Sequence, residues 1–152
     1  NKKRSPMSVT IPQMQGAIEQ FWAAVYSKNI AAVSALISTD LKATYQVTYN
    51  GTKLPEKQLS YQEYIDTIRD LFASFQYAKT TQRDYDPGTF KLSSDGTAVW
   101  TVNFFQNLEL ATGAMNSTGG QTWTFNGTQF VALSVIEFDT NLQTQRVNCA
   151  VV

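Results

Sequence analysis

Between Ser60 and Phe75 the chain carries one apolar stripe at helical spacing: Tyr61, Tyr64, Ile65, Ile68, Leu71, Phe72 and Phe75. Ser60 and Glu63 form a capping box at its start, and Leu59 and Tyr64 have the spacing of a hydrophobic staple. A helix this greasy on one side must bury that side against something. After residue 76 the sequence offers only strand and turn patterns. The cover must therefore be a sheet, and a strongly bent sheet supplies the concave surface that a full stripe needs. The expected fold is α+β: a cone-like curved antiparallel sheet packed on three N-terminal helices.

Two helices precede the stripe. Thr10 and Gln13 pair as a capping box with Pro12 in the first turn, and Ile11, Met14, Ile18, Phe21, Trp22 and Val25 follow at helical spacing. Asn29 reads as the N-cap of a short second helix carrying Ile30, Val33, Leu36 and Ile37, ended by Thr39-Asp40. The period then becomes two. Leu41, Ala43, Tyr45, Val47 and Tyr49 alternate with polar residues, Asn50-Gly51 turns, and Pro55 to Leu59 connects to the capped helix. Beyond 76, strands are expected near 77–86, 89–93, 97–110, 121–125, 130–138 and 142–151. Residues 111–120 read as a flexible loop and Asp139-Thr140-Asn141 as a turn. The domain division is a flexible tail over 1–10 and a single domain over 11–152.

Composition narrows the chemistry. The 152 residues include no histidine, which removes the commonest general base, the commonest zinc ligand and every Ser-His or Cys-His nucleophile pair. Cys149 is the only cysteine, so no disulfide closes within the sequence and no thiolate metal cluster forms; it reads as a buried thiol. No metal and no cofactor is expected. With 12 basic and 12 acidic residues the net charge is zero, which disfavours nucleic acid as a partner. Lys2-Lys3-Arg4 reads as a solvated tail or the remnant of a processed leader. No apolar run approaches the length of a membrane span. The compartment is open: a cytoplasmic location is the default, and Asn-X-Ser/Thr sequons at Asn50, Asn116 and Asn126, all in expected turns, leave secretion possible.

Three segments carry a resemblance. They are Phe21 to Leu36 (FWAAVYSKNIAAVSAL), the capped helix from Ser60, and Asn126 to Asn148 (NGTQFVALSVIEFDTNLQTQRVN). In order and spacing, residues 11–151 resemble the nuclear transport factor 2-like superfamily, and within it the SnoaL-like branch of small polyketide cyclases, isomerases and dehydratases. The resemblance implies a cone with a deep apolar pocket at its open end. It does not carry over a catalytic set. The ketosteroid isomerase tyrosine, base and strand aspartate fall on Phe21, on Tyr45 or Gln46, and on Ser134. The dehydratase branch uses histidines, which are absent.

Acid–base work must then rest on carboxylates or phenols. Asp40, Asp86, Asp95 and Asp139 belong to turns, Glu63 to a cap, and Asp66 and Asp70 to the solvent side of the third helix. Glu19, Asp84, Glu109 and Glu137 remain, with Asp84 the first catalytic candidate and Glu137 expected to point away from the face of Ala132, Ser134, Ile136 and Phe138. Trp22, Tyr64, Trp100 and Phe104 suit a ligand cavity or a core, readings that overlap in a cone. Tyr45, Gln106 and Ser134 are the polar groups expected among them. The functional expectation is a binder of an apolar, polyketide- or terpenoid-like small molecule, as a histidine-free lyase, isomerase or cyclase or as a simple binder. The alternative is a non-catalytic homodimerisation or association module, using an outer sheet face with Phe105 and Val131. A homodimer through that face is compatible with both.

Overall fold

The computed structural model describes residues 8–110 and 113–144. Helix α1 (Ile11–Tyr26) begins at the Thr10/Gln13 capping box, in which each backbone N–H donates to the other residue's side chain at 3.3 Å. Val9, just before the cap, is already buried in the core, so ordered packing starts inside the segment expected to be a tail. The Asn29 side chain caps α2 (Ile30–Ala35) by accepting from the Ala32 N–H at 3.1 Å. The helix stops at Ala35, ahead of Thr39-Asp40, because Ile37 already opens strand β1 (Ile37–Tyr49) and takes Phe130 as its register partner. Short strands β2 (Thr52–Lys53) and β3 (Lys57–Leu59) fold back on β1, so part of the expected connector is paired.

Helix α3 (Tyr61–Ser74) carries the Ser60/Glu63 capping box, with Ser60 N–H to Glu63 Oε1 at 3.0 Å and Glu63 N–H to Ser60 Oγ at 3.3 Å. Strand β4 (Phe75–Asp84) follows directly, and a 3-10 turn leads to β5 (Lys91–Leu92). Three long strands complete the sheet: β6 (Ala98–Leu110), β7 (Gly113–Phe125) and β8 (Phe130–Thr144). The strand order is β2-β1-β8-β7-β6-β4, with β3 on β1 and β5 on β6. The sheet curls into a half-barrel around the helices. Register shifts in the β1/β8, β4/β6 and β7/β8 pairs supply local bends of the kind that β-bulges produce.

Several expectations change. The β1/β8 pair is parallel, so the sheet is mixed; strands so far apart in sequence need not pair as a hairpin. The glycine-rich segment expected to be a loop is most of β7, paired on both edges from Gly113 to Phe125. The expected turn at 139–141 lies inside β8, where a register shift between Glu137 and Asp139 absorbs the irregularity. Asn116 is a mid-strand residue whose side chain bonds Asn107, whereas Asn50 and Asn126 do lie at turns. Of the strand expected over 142–151, the first three residues are the end of β8; the rest of it, Lys2-Lys3-Arg4 and Cys149 lie outside the described residues.

The core sits between the helices and the concave face. Phe21 of α1 meets Trp123 edge-on at 5.1 Å, and Trp123 and Phe125 both pack on Phe130, at 4.7 and 4.9 Å. The α3 stripe enters it through Tyr64, Ile65 and Ile68, each nearly inaccessible to solvent.

Candidate functional site

Residues paired across a sheet point to the same face, so the registers define rows across the concave surface. Ala43, Leu133, Trp123 and Trp100 form one row, wholly apolar apart from the indole N–H groups. The next is Tyr45, Val135, Gln121 and Val102. Then come Val47, Glu137, Gly119, Phe104 and Arg83, followed by Ser117, Gln106 and Thr81. The inner face thus changes from apolar at the Trp100/Trp123 end to polar at the Gln106 end. Helix α1 covers it with Phe21, Trp22 and Tyr26, and α3 with Tyr64.

Two polar centres lie along these rows. In the first, Tyr45 and Tyr64 stack at 6.1 Å and 26°, close enough for each phenol to act on the other. Burial pushes both phenols above the usual phenol range. For Tyr45 a hydrogen bond from Tyr64 opposes that shift and the nearby Glu137 carboxylate adds to it; for Tyr64 the Tyr45 partner adds to it. Both therefore stay protonated, and able to donate, through neutral pH.

In the second centre, Arg83 lies over the Trp22 ring at 4.8 Å, and Trp22 stacks on Tyr26 at 5.5 Å and 28°. Arg83 Nη2 donates to Tyr26 Oη at 3.1 Å, and the Tyr26 hydroxyl donates to Gln106 Oε1 at 3.4 Å. Arg83 Nη1 is 3.7 Å from Glu19 Oε2, while Glu19 Oε1 accepts from the Tyr85 hydroxyl at 2.8 Å. Burial raises the Tyr26 phenol, with the Arg83 charge working against it. Four interior polar atoms, Trp22 Nε1, Arg83 Nε, Gln121 Oε1 and Trp123 Nε1, are buried without a hydrogen-bond partner, a condition that costs about 1–3 kcal/mol each.

The raised phenols set a pH response. In the unfolded chain Tyr45 and Tyr64 lose their protons near the usual pH of about 10, while the folded protein keeps them. Above that pH the unfolded state binds fewer protons, so stability falls by about 1.4 kcal/mol per pH unit for each phenol; below it their contribution is complete. Urea midpoints are expected to show this loss on going from about pH 9 to 11, with a shallower loss in Tyr45→Phe. An equal slope in both proteins would contradict the assignment.

The sequence-derived candidates distribute as follows. Trp22, Tyr45, Tyr64, Phe104 and Gln106 belong to the concave set. Trp100 is on the same face but is fully buried, with Nε1 donating to the Asp86 carbonyl at 2.7 Å and its ring held by Tyr85 and Phe90, which makes it a core residue. Ser134 is on the opposite face. Leu133 and Val135 are buried beside it, Ile136 is 42% exposed, and Ser134 lines an outer cleft of about 740 Å³ with Thr44, Thr122 and Tyr61. Glu137 consequently faces inward, the reverse of the expectation. Asp84 is exposed, paired with exposed Asn103 on the outer face, because alternation turns it away when Arg83 points in.

Sequence reasoning also passed over Arg83, Tyr26 and Gln121. For Arg83 a signal existed, since Thr81, Arg83 and Tyr85 alternate with Gln82, Asp84 and Asp86. Among the described residues no group of three or more His, Cys, Asp or Glu side chains could hold a metal, and no helix is long and apolar enough to cross a membrane.

Compared with known proteins, the chain matches no family model and no curated sequence. Solved structures do match. A candidate scytalone dehydratase from Novosphingobium aromaticivorans aligns with a TM-score of 0.70 at 10% identity, over 90% of this chain and 89% of that one. A ketosteroid isomerase-like protein from Erwinia carotovora atroseptica aligns at 0.61 and 14% identity, over 84% and 95%. A pinacolase from Penicillium brevicompactum aligns at 0.58 and 12% identity, over 84% and 86%. At such identities the likeness is one of architecture: the chain is built on the nuclear transport factor 2-like fold.

Proposed function

We propose that the concave face binds an apolar, carbonyl-bearing small molecule and moves a proton on it, as a histidine-free isomerase, lyase or cyclase. Glu137 is the base, and the Tyr45/Tyr64 phenols donate to the carbonyl oxygen. The observation that carries this reading is the convergence of an inward carboxylate with a stacked phenol pair, Tyr45 on the adjacent row and Tyr64 on the helix above it. Trp22, Phe104 and Gln106 would line the ligand's path, and no cofactor is required. Two of the structural relatives carry names of enzymes, a scytalone dehydratase and a pinacolase, in keeping with the reading.

The chemistry follows from charge. When Glu137 takes a proton from the carbon next to a carbonyl, the C–H electrons move to the oxygen. Phenols already oriented and desolvated stabilise the enolate without reorganising. Return of the proton to another carbon gives an isomer; loss of a leaving group gives an alkene. Carboxylate bases and neutral donors of this kind supply general acid–base catalysis without imidazole.

The test uses 2-acetylnaphthalene as probe. Saturable quenching of tryptophan fluorescence is expected, because Trp22 and Trp123 border the site. Its methyl protons should also exchange with D₂O faster than in buffer, as followed by proton NMR. No saturable binding up to the solubility limit would overturn the proposal.

A second reading, association through the outer face, is favoured by Ile136, a 42%-exposed isoleucine in the middle of the sheet. Light scattering at micromolar concentration decides it, and it does not compete with an interior site.

A further inference from the structure

We infer that the ligand carries a carboxylate, or another planar oxyanion, that seats on Arg83 at the opposite end of the row that holds Glu137. The inference rests on the interior-site reading and narrows its substrate to an apolar keto acid.

Arg83 is a buried cation with an unfinished environment. Its side chain is only 8% exposed, its Nε is buried without a partner, and the Glu19 carboxylate is at 3.7 Å and itself 50% exposed. A guanidinium offers five donors in a rigid fork. Among the described residues, the contacts that engage it are the Tyr26 oxygen, the loose Glu19 pair and the Trp22 and Tyr26 ring faces. A second buried donor, Trp22 Nε1, is unpartnered in the same stack. Two orphaned donors beside a partly neutralised positive charge call for a group with two acceptor oxygens and a negative charge. The stack also holds the fork in place, so binding such a group need not order a flexible side chain.

The row dictates which way the ligand lies. Arg83 on β4 and Glu137 on β8 belong to one row with Phe104 and Gly119 between them. Three strand spacings separate the two, about 14 Å along the sheet. Glu137 repels an anion and Arg83 attracts it, so a keto acid has one favourable orientation: acid end at Arg83, apolar body over Phe104, and carbonyl at the phenols. The Glu19 carboxylate pairs only loosely with Arg83, and its exposure gives it a way out to water when the ligand arrives.

The experiment compares 2-naphthoate with neutral 2-acetylnaphthalene at about pH 7.5, where a carboxylic acid is ionised. The expected result is binding of both, with naphthoate at least tenfold tighter. Arg83→Met should abolish the preference while leaving the neutral probe's affinity within about twofold, with circular dichroism verifying the fold. Glu19→Gln removes the competing charge without touching the arginine and should tighten naphthoate several-fold, an increase that no loss of structure would mimic. Neutral binding without any anion preference, or no gain in Glu19→Gln, overturns the inference and leaves the interior site standing. Failure of both probes overturns the site itself.

Discussion

Glu137→Gln is expected to slow protein-catalysed exchange of the 2-acetylnaphthalene methyl protons by about 10² to 10⁴-fold, the range carried by a positioned general base. The amide keeps the size and the inward direction of the side chain, so the row Val47–Glu137–Gly119–Phe104–Arg83 stays intact and probe affinity should change little. Removing the carboxylate also removes a cause of the raised Tyr45 phenol, which should titrate at lower pH in the variant. Tyr45→Phe takes away one donor to the developing oxyanion and should cost about 10²-fold or more in exchange rate, again with modest effect on binding. Full activity in Glu137→Gln would remove the carboxylate from the mechanism whatever the probe's affinity.

Gly119→Ala is expected to destabilise the fold by about 3 kcal/mol, the upper end of the range for overpacking a core. A Cβ at this position would lie 2.3 Å from the Ile136 carbonyl oxygen, 2.9 Å from Glu137 Cα and 2.9 Å from Phe104 Cε1. The first two are backbone of the neighbouring central strand and cannot step aside. The third is a ring that occupies the space a side chain would need. At roughly 3–4 °C per kcal/mol for a chain of this size, the midpoint of thermal unfolding should fall by about 10 °C. Gly16→Ala is the control: it lies in α1 with nothing within 4 Å of a new Cβ and should gain stability by about 0.5–1 kcal/mol. Equal melting of the wild type and Gly119→Ala would mean that β7 is not packed on β8 as described.

The same glycine shows what the sequence conceals. The helices were legible because their signals are local: two capping boxes and the stripe from Tyr61 lie within a few residues of each other, and each reappears in the structure at the expected position. Strand β7 was legible only over 121–125. In its first half the inward positions Ser117 and Gly119 are small, with Phe104 and the bulge beside Glu137 filling the space, so the apolar alternation that marks a strand is missing there. The face of β8 was ambiguous for the opposite reason. Leu133 and Val135 alternate with Ala132, Ser134 and Ile136, both sets fit a half-buried strand, and a one-residue slip exchanges Ser134 for Glu137. Only the register with Tyr45 and Gln121 decides between them. Arg83 escaped notice because the alternation of Thr81, Arg83 and Tyr85 does not say which of the two faces is inward; its partners Glu19 and Tyr26 are more than fifty residues away, on α1. Trp100, chosen as a ligand contact, belongs to the core because the Asp86 carbonyl and the rings of Tyr85 and Phe90 close around it.

A crystal structure with 2-acetylnaphthalene bound tests the interior site most directly. The naphthalene should lie between α1, α3 and the concave rows, its oxygen within hydrogen-bonding distance of the Tyr45 or Tyr64 hydroxyl and its methyl carbon turned toward Glu137. Density for the probe in the outer cleft beside Thr44, Thr122 and Ser134, with the interior filled by the protein's own side chains, would contradict it.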